Sequence, residues 1–169
     1  MCDCRNQPFI CRFCTMSAIV SQRTFALTNK TYIMETLNLE KDIVAHYVEA
    51  NSFPDGVLKA HQQLHSMVEH NSKRKYLGIS WMGQNGDILY KAAAEELFPG
   101  EFNQHKLPTY VIKQGSYIFI DVDDFMQNEQ GIGEAFQTLL KEKNIDPQGA
   151  CIEWYLEDDT TCRCMIRTV

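Results

Sequence analysis

Two stretches of the chain read as copies of one helix: GVLKAHQQL, starting at Gly56, and GIGEAFQTL, starting at Gly131, share Gly, Ala, Gln and Leu at matching places. The offset is 75 residues. Carried forward, it sets YLGISW from Tyr76 opposite CIEWYL from Cys151, strand on strand. A chain built on such a repeat has to bury two similar helices against two similar sets of strands, which narrows the folds open to it.

The segments around each helix complete the unit. DIVAHYVEA has the β-branched and aromatic content of a strand. In the helix that follows, Val57, Ala60, Leu64, Met67 and Val68 recur at helical spacing, with Ser52 and Asp55 placed to cap it. KYLGISWM, the turn QNG and DILYKAAAEE read as a hairpin, since Asn-Gly favours the tight turns that join antiparallel strands. In the second half TYVIKQGSYIFIDV is strand-like, Ile132, Phe136, Leu139 and Leu140 mark a helix, and ACIEWYLED with CRCMIRTV closes as strands. The expected fold is α+β: duplicated βαββ units form an antiparallel sheet with two helices on one face and a ligand cleft on the other. Alternation puts Leu77, Ile79, Trp81, Ile152, Trp154 and Leu156 beneath the helices, with Trp81 as a core residue. Gly78, Ser80, Cys151, Glu153 and Tyr155 then fall on the open, concave face.

Composition excludes several classes. Of the 169 residues 44% are hydrophobic and 22% charged, ordinary for a globular chain and unlike a disordered one. A net charge of -6 is the wrong sign for a protein that neutralises phosphates, so no direct nucleic-acid contact is expected. No apolar run reaches the length of a membrane span and no secretory signal opens the chain, so a cytoplasmic location is expected, with thiols reduced. Residues 1–33 read as a poorly ordered or non-native leader, with Met16 and Met34 as alternative starts, and 34–169 as the domain. Cys2, Cys4, Cys11 and Cys14 are zinc candidates, and the short gap between their pairs argues against a structural zinc site. No cofactor is expected.

The residue that raises a functional question is Glu153, an acid in the apolar strand CIEWY. On pattern alone, such a glutamate faces solvent or meets an arginine. A shielded carboxylate otherwise calls for a cation, and neighbouring rings such as Tyr155 add attraction for one, about 0.5–2 kcal/mol. The order of KLPTYVIKQGSYIFI, IGEAFQTLLKEKNI and CIEWYLED, matched by SFPDGVLKAHQQL and LGISWMGQNGDILYKAAAEE in the first half, resembles the GyrI-like effector-binding domain. That domain also forms the drug-sensing part of AraC-type and MerR-type regulators. The resemblance spans about Asp42 to Val169.

It implies a duplicated βαββ fold whose pocket glutamate corresponds to Glu153, with Tyr155 two positions on and Tyr90, from ILYKAA, lining the cleft. It therefore implies a stand-alone protein that binds or sequesters lipophilic, aromatic cations, since the residues before the domain are too few for the regulators' DNA-binding motifs. Two alternatives go with it: a hydrolase of cyclopropane-bearing toxins with Glu153 as base, and a gyrase-inhibitor-like interaction module. A homodimer and a transcription or gyrase partner stay open. His61 and His65, four apart, lack the HExxH arrangement and fit a polar or boundary face. DVDDF lacks the Gly and Glu of a calcium loop, having Met126 and Ile132 in their places. GIGEAF ends its dinucleotide-like match at Phe136. Cys151 shares the face of Glu153, whose charge should raise the thiol's pKa and dull it.

Overall fold

The computed structural model describes residues 32–169; Cys2, Cys4, Cys11, Cys14 and Met16, and with them the expected leader, lie outside the described residues. Ten elements follow in the order β1 (Glu35–Leu39), β2 (Ile43–Glu49), α1 (Val57–Met67), β3 (Tyr76–Met82), β4 (Ile88–Glu95), β5 (Thr109–Ile112), β6 (Gly115–Val122), α2 (Glu129–Leu139), β7 (Cys151–Tyr155) and β8 (Cys162–Arg167). The strands form one antiparallel sheet in the order β1-β6-β8-β7-β3-β4-β2-β5, so the class is α+β.

Local chemistry sets the turns. Asn85-Gly86 joins β3 to β4, with Gly86 at φ +83°, a left-handed conformation that costs glycine little. In the loop between β7 and β8 the Asp158 carboxylate accepts hydrogen bonds from the Thr160 and Thr161 amides at 3.0 and 2.8 Å and from the Thr161 hydroxyl at 2.6 Å. TYVIKQGSYIFIDV, read as one strand, is two, broken at Lys113-Gln114, where Asp42 accepts from the Gln114 amide at 2.8 Å. β1 has no counterpart in the expectation; it is an edge strand held by β6. Gly56, not Ser52 or Asp55, occupies the N-cap of α1, without a side-chain cap.

The two faces of the sheet are the reverse of the expected ones. Helix α1 packs on β2 and β4 through Ala60, Leu64 and Val68 against Val48, Tyr90, Ala92 and Ala94. Helix α2 packs on β6 and β8 through Ala135 and Leu139 against Ile118, Ile120, Cys162 and Cys164. Both helices therefore lie on the face that carries Cys151, Glu153 and Tyr155. The face assigned to the helices has none, and Trp81 is a half-buried residue there.

The reason is the curl of the sheet. All eight strands send residues into one cluster on the helix-free face, including Leu37, Ile43, Leu77, Ile79, Ala93, Ile112, Phe119, Ile152 and Met165. Leu77, Ile79 and Met165 are fully buried there without a helix above them. Strand twist accumulated over eight strands folds the edges toward each other and closes this face on itself. The helices then cover the other face, where small residues (Gly78, Ala92, Ala94, Cys162 and Cys164) let them come close.

Candidate functional site

β3 and β7 are the central strands of the sheet and run between α1 and α2. Their antiparallel register sets Gly78 directly opposite Glu153, and Ser80 opposite Cys151 on one side and Tyr90 on the other. Residues opposed in this way share a face, so Gly78, Ser80, Tyr90, Cys151, Glu153 and Tyr155 all point toward the helices. The site is built on strands, the more rigid part of the fold, and roofed by helix side chains.

Glu153 is 7% exposed. Its Oε2 accepts hydrogen bonds from the Tyr90 hydroxyl at 2.9 Å and the Tyr155 hydroxyl at 2.5 Å. The two phenol oxygens lie 3.1 Å apart, and His61 Nε2, on α1, is 3.1 Å from the Tyr90 oxygen. Among the described residues no hydrogen bond reaches Oε1, and no arginine, lysine or histidine forms an ion pair with this carboxylate. Gly78 forms the floor. A Cβ there would lie 2.1 Å from the Tyr90 oxygen and 2.6 Å from Glu153 Oε2, so only glycine admits this arrangement.

The electrostatics follow from burial. Desolvation raises the pKa of Glu153, against the opposing pull of the Tyr155 and Tyr90 hydroxyls, which favour the ionised form. Desolvation and the adjacent carboxylate push both phenols well above their ordinary value, so they stay protonated donors. Burial, with His65 adding to it, drops His61 to about 3 and leaves it neutral. With Glu153 ionised, both phenol protons go to Oε2, so the donor on the Tyr90–His61 contact is the His61 Nε2–H; proton counting assigns that tautomer. Burial and the Glu153 charge raise the Cys151 thiol to about 11, which makes it a poor nucleophile.

Three rings enclose the acid beyond the two tyrosines. Phe125 packs on Tyr155 with centroids 5.3 Å apart, His61 meets Tyr155 edge-on at 5.4 Å, and Phe53, 42% exposed on the loop before α1, stacks on Tyr90 at 5.9 Å. Of the residues singled out in the sequence, Glu153, Tyr155, Tyr90 and Gly78 come together at one point. Ser80 shares their face one step along β3, half-buried.

His61 was missed as a site residue. The signal was present: with Val57, Ala60, Leu64 and Val68 it completes the apolar stripe of α1, so its ring faces the sheet and not a polar boundary. His65 stacks beside it at 6.4 Å, and no group of three or more metal-ligating side chains exists among the described residues.

Solved structures share this fold. An integron cassette protein from the mobile metagenome of Vibrio cholerae superposes with a TM-score of 0.60 at 10% identity, over 83% of this chain and 97% of its own. A structure described as a hydrolase from Listeria innocua superposes with a TM-score of 0.50 at 14% identity, over 80% and 91%. At these identities the likeness is one of fold. No protein-family model and no curated protein matches the chain. No helix among the described residues is long and apolar enough to cross a membrane.

Proposed function

We propose that the chain is a GyrI-like effector-binding protein that takes flat, lipophilic, aromatic cations at Glu153. The observation that carries this reading is a buried carboxylate with one oxygen held by two tyrosines and, among the described residues, no partner on the other oxygen and no cation paired to it. Such a charge is costly until something positive meets it, and the surrounding rings favour a ligand cation. Rings and a single acid fix charge and flatness more than shape, so the ligand range is broad.

The duplication belongs to the same proposal and has support in the topology. The sheet order reads the same when β1–β4 exchange with β5–β8. In the β3–β7 ladder the two residues separated by the repeat offset, Gly78 and Glu153, face each other. A two-fold axis relating the halves would pass between them, which places the single acid where the halves meet.

The test is titration with an aromatic quaternary ammonium ion and a neutral compound of the same shape. The cation is expected to bind wild type with Glu153→Gln weakening it at least about tenfold, the scale of one charge-assisted contact, while the neutral compound binds both alike. Equal cation binding by wild type and variant ends the reading.

A second reading is hydrolysis at the same place. The unbonded Oε1 and the raised pKa suit a general base acting on water, and a neighbour of similar fold is described as a hydrolase. Turnover of a cyclopropane-bearing alkylating agent by wild type, absent in Glu153→Gln, is expected under this reading alone; under the binding reading the compound is held and recovered intact.

A further inference from the structure

On the helix-free face, Lys91 of β4 sits among aromatic rings. Its Nζ lies 3.9 Å from the ring centre of Tyr47, 4.6 Å from Trp81 and 5.5 Å from Tyr110, all three half-buried at the edge of the cluster on that face. Ring faces attract an ammonium group but satisfy its three N–H donors poorly.

The ladder position equivalent to Lys91 shows what is missing. Lys91 pairs with Ile79 of β3 and Glu49 of β2; Arg163 pairs with Trp154 of β7, which lies 75 residues beyond Ile79, and with Asp121 of β6. Arg163 also packs over a ring, Phe119, at 4.0 Å. It donates two hydrogen bonds of 2.8 Å to Asp121 and is neutralised. Lys91 has an acid in the same relation, Glu49, yet Glu49 is exposed and makes no ion pair with it. The lysine points instead into the rings.

We propose that Lys91, Tyr47, Trp81 and Tyr110 form a second binding site, for a planar aromatic carboxylate. The carboxylate supplies the counter-charge that Asp121 supplies to Arg163, and the ligand ring lies against the aromatic side chains that hold the ammonium group. A second cation is disfavoured, because the ammonium group of Lys91 over these rings would repel it. The site is on the opposite side of the sheet from Glu153 and of opposite charge, so it stands whether or not Glu153 binds anything.

The experiment follows the two indole N–H signals, those of Trp81 and Trp154, by NMR while sodium benzoate or benzamide is added; loss of one signal in Trp81→Phe assigns them. Benzoate is expected to shift the Trp81 signal saturably and leave that of Trp154 nearly still, with benzamide at least about tenfold weaker, a factor equal to about 1.4 kcal/mol. Lys91→Met should weaken benzoate by a similar factor and Lys91→Arg should retain it. No saturable shift, equal shifts with benzamide, or equal affinity in Lys91→Met overturns the proposal. If Lys91→Met loses a dispersed spectrum, the benzamide comparison on wild type decides.

Discussion

Gly78→Ala is expected to lower stability by about 1–3 kcal/mol, the range for forcing extra volume into a packed interior, and to abolish binding of aromatic cations at Glu153. Elsewhere in a strand this change helps, because glycine loses more conformational freedom on folding than alanine. Here the added methyl group would overlap the Tyr90 hydroxyl and Glu153 Oε2 at 2.1 and 2.6 Å. Neither neighbour can withdraw: Tyr90 is 1% exposed beneath α1, and Glu153 is held by two hydroxyls. Tyr90 has to leave its rotamer or β3 has to part from β7, and either separates the hydroxyl from the carboxylate. Ser80→Ala, two residues along the same face, is the control and should stay within about 0.5 kcal/mol of wild type. Urea unfolding at neutral pH measures both. A Gly78→Ala protein as stable as wild type would mean that Tyr90 and Glu153 do not meet over this glycine.

The elements were legible because helix periodicity and the Asn-Gly turn are local signals. The assignment of faces was not local. Ile152 and Trp154 on one side of β7 and Cys151, Glu153 and Tyr155 on the other both lie in buried clusters, so alternation shows that there are two faces without showing which one the helices take. The bulkier set looked like the helix-covered core. In a curled sheet that set fills the closed side, and the helices need the side with small residues; Gly78, Ala92 and Ala94 were visible in LGISW and YKAAAEE as that signal. Glu153 was found because an acid in an apolar strand stands out. His61 was not, because a histidine on a helix reads as a boundary residue until the apolar stripe on either side of it is counted. β1 carries only Leu37 and Leu39 inward from an otherwise polar edge, too little alternation to mark a strand before its partner β6 is known.

Replacing both site tyrosines by phenylalanine should produce the largest pH-dependent loss in the molecule. Glu153 has a folded-state pKa raised above that of the unfolded chain. A carboxyl group shifted this way contributes stability that is fully present below its unfolded value and is lost as pH rises through the folded value. In wild type the two hydroxyls limit that loss by favouring the ionised form. Without them the folded value rises further, so the loss on deprotonation grows. Two hydrogen bonds to a charged acceptor, each worth about 1.5–3 kcal/mol, make Tyr90→Phe/Tyr155→Phe about 3–6 kcal/mol less stable than wild type where Glu153 is ionised in the native protein. The deficit should shrink as pH falls toward 5, because a protonated Glu153 needs the donors less. His61 does not blur the comparison: with a folded-state value of about 3 it stays neutral in the fold across this range, and its protonation in the unfolded chain affects both proteins alike, so the acceptor it loses at Tyr90 costs the same throughout. Adding Glu153→Gln to the double variant removes the carboxyl titration and should leave, between pH 5 and 8, only the dependence that His61 and His65 impose by staying neutral in the fold while protonating in the unfolded chain. Urea unfolding of the three proteins at both pH values checks this. A deficit that does not change with pH would mean that the tyrosines support the fold by packing alone, and that Glu153 holds no charge for a ligand cation to meet.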